Sequence, residues 1–132
     1  MVHIDINENK KYDLNYEHDL QAIVVDYLRQ TDLLFCASLG GYLDTPSKRI
    51  KSYIEGYQKG QPDLIIYTPS ADGKYKGLAL ELKRADGSGT ISKEQVSWLD
   101  RLENECNYFC LASNDLVLII EILVKYIHGV LP

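Results

Sequence analysis

Residues 60–87 read GQPDLIIYTPSADGKYKGLALELKRADG, two apolar runs joined by a polar turn. The runs DLIIYT and KGLALELK have the length and composition of buried β-strands. Pro69, Asp72 and Gly73 lie between the runs and are residue types that favour a tight turn. The stretch therefore predicts a hairpin of two antiparallel strands, with charged residues where the strands begin and end.

Periodicity and capping signals predict the other elements. We expect, in chain order, a helix over 16–30, a short buried strand over 33–39, the hairpin, a helix that begins at Ser92 with Gln95 as its capping-box partner, a strand over 108–113 and a helix from about 115 to 129. This order of helices and strands predicts an α/β fold, a central mixed sheet flanked by helices.

Composition is that of one ordinary globular domain, which we assign to residues 1–132. Of the 132 residues, 45% are hydrophobic and 25% charged. The most apolar stretch, 115–127, is interrupted by Glu121 and Lys125 and is too short to span a bilayer. The amino terminus lacks the order of a secretory signal, so we expect a cytoplasmic protein. The three cysteines lack metal-ligand spacing and lie among apolar residues, which predicts buried, reduced thiols.

The net charge is −5, but it is unevenly distributed along the chain. Residues 46–84 hold eight Lys or Arg against four acids, so this segment is basic. Because phosphate binding depends on local charge, an acidic protein can still bind DNA along one basic face. The candidate DNA-binding residues are Lys48, Arg49, Lys51, Lys59 and Arg84. Taken alone, the charge pattern also fits an ordinary solvated surface.

Three charged residues of the hairpin suggest chemistry. Glu81 and Lys83 share one face of their strand, since side chains alternate, and Leu82 points into the core. Asp63 begins the partner strand, where the hairpin can bring it beside Glu81. Two adjacent carboxylates favour a hard divalent ion such as Mg²⁺, and a lysine can orient an attacking water. At strand ends these groups are expected to reach solvent.

The order Pro62-Asp63, then Glu81-Leu82-Lys83, resembles the PD-(D/E)XK nuclease superfamily, and its VRR-NUC (virus-type replication-repair nuclease) branch in particular. Further matches are EHDLQ at 17–21, GQPDL at 60–64 and SKEQVSWL at 92–99. The resemblance runs from about residue 16 to 128 and implies a restriction-endonuclease-like core. Two differences from the usual pattern concern loops: Asn107 stands where a glycine is usual, and SLGG at 38–41 lacks an asparagine.

The resemblance also implies a set of site residues and an ion, Mg²⁺ or Mn²⁺. Metal ligands would be Glu17, Asp63, Glu81 and Leu82, and catalytic residues would be Asp63, Glu81, Lys83 and Gln95. Glu17 could instead only complement the positive end of its helix, and Gln95 could serve only as a cap.

The function implied is a metal-dependent endonuclease in a bacterial or phage-infected cell. Stand-alone members of the branch resemble junction resolvases, so a four-way (Holliday) junction cut by a homodimer is the preferred reading. The dimer interface is expected over 42–57, at Tyr42, Leu43, Ile50, Tyr53, Ile54 and Tyr57, unless these residues simply cover the sheet. The alternatives are a nuclease acting on linear duplex or flap DNA and a non-catalytic DNA-binding module.

Overall fold

A computed structural model describes residues 2–6, 17–38, 40–83 and 90–132, and it does not describe the side chains of Glu17 and His18. The elements in chain order are β1 (His3–Asp5), α1 (Glu17–Arg29), β2 (Phe35–Ala37), a 3₁₀ turn (Gly40–Tyr42), α2 (Pro46–Ile54), β3 (Leu64–Ile66), β4 (Gly77–Leu82), α3 (Lys93–Cys106), β5 (Tyr108–Ser113) and α4 (Leu116–His128).

The strands form one mixed sheet in the order β1-β5-β4-β3-β2. β3 pairs antiparallel with β4, which confirms the predicted hairpin, and β2 pairs antiparallel with β3. β4 and β1 both run parallel to β5. Since α3 connects β4 to β5 as a crossover helix, the sheet is the mixed α/β architecture that the element order predicted.

Each face of the sheet is covered by helices. Leu78, Leu80 and Leu82 of β4 are buried in the larger core with apolar residues of α1 and α4. Ala79, on the opposite face of β4, packs with Leu99 of α3 in the smaller core. The alternation along β4 therefore directs Glu81 toward the face that α3 covers, opposite to the face of Leu82.

Three elements were not predicted, and one of them is the short 3₁₀ turn at Gly40–Tyr42. β1 is a three-residue edge strand, and a run so short gives no clear periodic signal. In α2 no residue is buried, so an apolar core face was not available as a signal. Its start nevertheless has two signals in the sequence, since threonine is a favoured N-cap residue and proline is favoured in the first turn. In the structure, Thr45 Oγ1 accepts from Lys48 N, and Pro46 occupies the first turn.

The asparagine at position 107, where the VRR-NUC pattern usually has a glycine, has a simple physical explanation. Asn107 ends α3 in the left-handed conformation, with φ of 58°. Glycine is the usual residue at such a helix end, and asparagine is the side chain that tolerates this conformation best. Its amide Nδ2 also donates to Lys74 O at 2.8 Å, tying the helix end to the hairpin turn.

The prediction of buried thiols is wrong for two of the three cysteines. Cys36 lies on the edge strand β2 and Cys106 in the last turn of α3, and both are exposed. Cys110 is buried in β5, and burial raises the pKa of its thiol to about 12. Among the described residues, the helices are all too short or too polar to cross a bilayer.

Candidate active site

The hairpin brings Asp63 to the last residues of β4. Leu64 pairs with Leu80, so continuing the register sets Asp63 opposite Glu81. The main-chain N–H of Leu82 donates to Asp63 Oδ2 at 2.7 Å, which holds the aspartate across the strand pair. On its other side, Ser38 N donates to Asp63 O at 2.9 Å. The side chain of Asp63 is thus held by β4, and its main-chain carbonyl is held by the residue that follows β2.

Glu81 and Lys83 are buried rather than solvent-exposed. Their exposed fractions are 2% and 6%, so the expectation that these groups reach solvent is wrong. Strand alternation predicted that both side chains point to one face of the sheet. Thr90 and α3 cover that face, so the side chains do not reach solvent. A buried charge is costly unless hydrogen bonds compensate it, so the surrounding contacts matter.

The side chain of Gln95, in the first turn of α3, bridges these two charged residues. Its Nε2 donates to Glu81 Oε1 at 3.1 Å, and its Oε1 accepts from Lys83 Nζ at 3.1 Å. Lys83 Nζ also donates to Thr90 O at 3.0 Å. One neutral amide therefore contacts a buried carboxylate and a buried ammonium at once, and fixes both.

Gln95 also completes the predicted capping box. The N–H of Ser92 donates to Gln95 Oε1 at 2.9 Å, and the N–H of Gln95 donates to Ser92 Oγ at 3.1 Å. The two interpretations of Gln95, a helix cap and a neighbour of the charged pair, are therefore compatible. The side chain of Gln95 therefore both caps the beginning of α3 and contacts Glu81 and Lys83.

The oxygen donors suit a hard cation. Asp63 and Glu81 supply carboxylates, whereas the buried side chain of Leu82 has no donor, so Leu82 could offer only its main-chain carbonyl. Glu17 begins α1, but its side chain lies outside the described part of the chain, so its placement at the site stays a prediction. Among the described residues, no three acid, histidine or cysteine side chains gather into a metal cluster.

A small cleft of about 220 Å³ opens in front of Asp63. It is lined by Ser38, Gly40, Gly41, Tyr57, Lys59, Gly60, Gln61, Asp63, Ser92 and Gln95. Tyr57, which was predicted to belong to a dimer interface, lies in this cleft, and Gly40 and Gly60 are cleft residues that were not predicted. Gly60 has φ of +94°, and a Cβ there would lie within 2.8 Å of the Glu94 backbone. Only glycine lets this loop pass so close to α3.

The predicted DNA-binding residues lie in different settings. Lys48 forms an ion pair with Asp44 at 2.9 Å, and Arg49 donates to Leu43 O at 3.1 Å. Lys51 lies in the last turn of α2 and is exposed. Lys59 lies on the rim of the cleft, 4.0 Å from Glu94, with its side chain 79% exposed. Arg84 lies outside the described residues.

The apolar residues of the predicted interface project into solvent. Tyr42, Ile50, Tyr53 and Ile54 are 76%, 63%, 74% and 77% exposed. The alternative that these four cover the sheet is therefore wrong. Leu43 and Tyr57 are half-buried, and Tyr57 belongs to the cleft.

The fold matches a solved structure described as "VRR_NUC domain protein". The TM-score is 0.67 at 23% sequence identity, over 87% of this chain and 90% of that one. No family profile and no curated protein matches the sequence. The structural match confirms the fold that the resemblance implied, an α/β domain with a five-stranded mixed sheet flanked by helices.

Proposed function

We propose that this chain is a metal-dependent endonuclease of the PD-(D/E)XK type. The observation that carries the proposal is the arrangement of Asp63, Glu81 and Lys83 at the end of one hairpin, with Gln95 joined to the last two. Binding alone does not call for an ammonium that is joined through one glutamine amide to a buried carboxylate. The same fold in a VRR_NUC domain protein supports this reading.

Asp63 and Glu81 would hold Mg²⁺ or Mn²⁺, with the Leu82 carbonyl and Glu17 as further proposed ligands. When bound, such an ion polarises the scissile phosphate and lowers the pKa of a coordinated water. Lys83 orients the attacking water and stabilises charge that develops on the phosphate. The water oxygen forms a bond to phosphorus while the bond from phosphorus to the leaving oxygen breaks. The attacking water gives up one proton to solvent, and the leaving oxygen takes up one proton from solvent.

The substrate we propose is branched duplex DNA, a four-way junction, cut by a symmetric homodimer. One chain carries one proposed metal site, and a junction needs two matched incisions to give intact duplexes. The four exposed apolar residues at 42–54 support an interface, since aromatic side chains are enriched there. Lys51 is exposed on α2, and Lys59 lies at the cleft, so these two lysines would supply positive charge on both halves of the dimer.

The deciding experiment is a cleavage assay with the full chain on junction, flap and linear duplex DNA. We expect cleavage in Mg²⁺ or Mn²⁺, none in chelator, and a preference for the junction. Glu81→Gln should be inactive, while Asp100→Asn, an exposed acid on α3, should cut normally. Equal cutting of all three substrates would contradict the junction assignment only. An inactive wild type that still binds DNA would favour the binding module.

A further inference from the structure

We propose that the hydroxyl of Tyr57 binds a phosphate oxygen of the DNA strand in the cleft. This inference rests on the proposed nuclease function and adds a substrate-contacting residue to it. Tyr57 lines the same cleft as Asp63 and Gln95, on the loop that leads from α2 to β3. It would act from a different part of the chain than the hairpin and α3.

The hydroxyl is available for a ligand. It makes no hydrogen bond to any residue that the structure describes, although the side chain is half-buried. Tyr57 lines a cleft that is also lined by Asp63, a candidate metal ligand, so a bound substrate can supply an acceptor for the hydroxyl.

Gly40 leaves the room that this hydroxyl occupies. A Cβ added to Gly40 would lie 2.6 Å from Tyr57 Oη and 3.5 Å from Ser38 Oγ. An alanine at this position would therefore push the hydroxyl away. The backbone of Gly40 does not need glycine for its conformation, because its φ is not positive. The close approach to Tyr57 is thus the steric reason for glycine at this position.

Both sides of this contact are tied to the rest of the site. Ser38 Oγ accepts from Gly40 N at 3.2 Å, and Ser38 N donates to Asp63 O at 2.9 Å. Tyr57 N donates to Ser52 O at 2.8 Å, which fixes the loop to α2. Two residues further on, Lys59 O accepts from Trp98 Nε1 at 3.1 Å. The hydroxyl is therefore presented from a backbone held at both ends, which favours a defined contact over a flexible one.

The ligand chemistry follows from the neighbours. A phenol hydroxyl can donate to the anionic oxygen of a phosphodiester, and backbone phosphates must approach Asp63 for the proposed reaction. Lys59, with an exposed ammonium, lines the same cleft and attracts the same group. At about 220 Å³ the cleft has room for one phosphate group and its attached sugar atoms rather than for a duplex groove.

The first test removes only the hydroxyl. Single-turnover cleavage by Tyr57→Phe should fall about 10- to 100-fold, the effect of losing a hydrogen bond to a charged group. Tyr67→Phe, a partly exposed tyrosine beside β3, is the matched control and should cleave at the wild-type rate. Melting temperatures of both variants separate a substrate contact from a structural role.

The second test uses the contact with Gly40. Gly40→Ala should lower the rate by displacing the hydroxyl, yet it should have little further effect in the Tyr57→Phe background, where the clashing oxygen is gone. Additive losses would contradict the inference. So would a Tyr57→Phe variant that cuts at the wild-type rate, or one that only melts earlier. Wild-type protein without metal-dependent cleavage would instead contradict the proposed nuclease itself.

Discussion

The ammonium of Lys83 donates to the amide oxygen of Gln95 over 3.1 Å, so a strand-end lysine and a helix-start glutamine hold each other in place. Lys83 is only 6% exposed, and a buried ammonium needs acceptors around it. Thr90 O provides a second acceptor at 3.0 Å. The amine that we assign to the attacking water thus has a fixed position before any ligand arrives.

The three charged residues at the end of the hairpin, Asp63, Glu81 and Lys83, should each be essential for cleavage. Asp63→Asn, Glu81→Gln and Lys83→Ala should each slow single-turnover cutting by a factor of about a hundred to a thousand, because each removes a group that stabilises transition-state charge. Lys83→Ala should also cost about 1–3 kcal/mol of folding free energy, since it leaves buried acceptors unsatisfied. Rates must therefore be compared well below the melting temperature. If one of these variants cuts at the wild-type rate, the role that we assign to that residue is wrong.

Divalent ions should differ in whether they support cleavage, according to their size and ligand preference. Mg²⁺ and Mn²⁺ should support cleavage, whereas Ca²⁺ should support DNA binding with little turnover, because it accepts more ligands in looser geometry. The measurements are nicking of labelled DNA and electrophoretic mobility in each ion. Full activity in chelator would exclude the two-carboxylate mechanism.

Ser92→Ala and Gln95→Ala should separate the helix cap from the charged site. Both variants lose a capping-box contact and should be destabilised by about 0.5–2 kcal/mol. Only Gln95→Ala also loses the bonds to Glu81 and Lys83, and it should slow cleavage about tenfold or more. Urea unfolding and single-turnover rates measure the two effects. If the two variants cut equally well, Gln95 is a cap alone.

Gly60 should be intolerant of a side chain. Gly60→Ala should lose about 2 kcal/mol or more of stability, because its φ is +94° and its Cβ would meet main-chain atoms of Glu94 that cannot easily move. Gly41→Ala is the comparison, since a Cβ there meets nothing within 4 Å. Its stability should change by less than about 0.5 kcal/mol. Equal melting temperatures for the two variants would contradict this account.

The exposed face of α2 should mediate the proposed dimer. We expect light scattering to give twice the chain mass for the wild type and the single mass for an Ile50→Ser, Ile54→Ser double variant, which removes two exposed apolar side chains. Val130→Ser, an exposed apolar residue near the carboxyl end, should leave the mass unchanged. A monomeric wild type at micromolar concentration would refute the dimer, and with it coordinated cutting of both strands.

The hairpin and α3 could be predicted because their signals are local. The apolar runs, the turn at Asp72 and Gly73, and the Ser92 to Gln95 spacing each lie within a few residues. The burial of Glu81 and Lys83 could not be predicted in this way, since it depends on how α3 packs over β4. The position of Tyr57 in the cleft likewise depends on the path of a loop, which sequence periodicity does not encode.

The order of the strands has a consequence for how the chain folds during synthesis. Leu64 pairs with Leu80 in the same hairpin, whereas His3 of β1 pairs with Leu111 of β5. Local pairs close small loops and form early, but a parallel pair between strands that are far apart in the sequence must wait for the residues between them. On the ribosome, β1 emerges before β5 and has no partner strand until β5 has been made. We therefore expect substitutions in β1 to change the unfolding rate more than the folding rate.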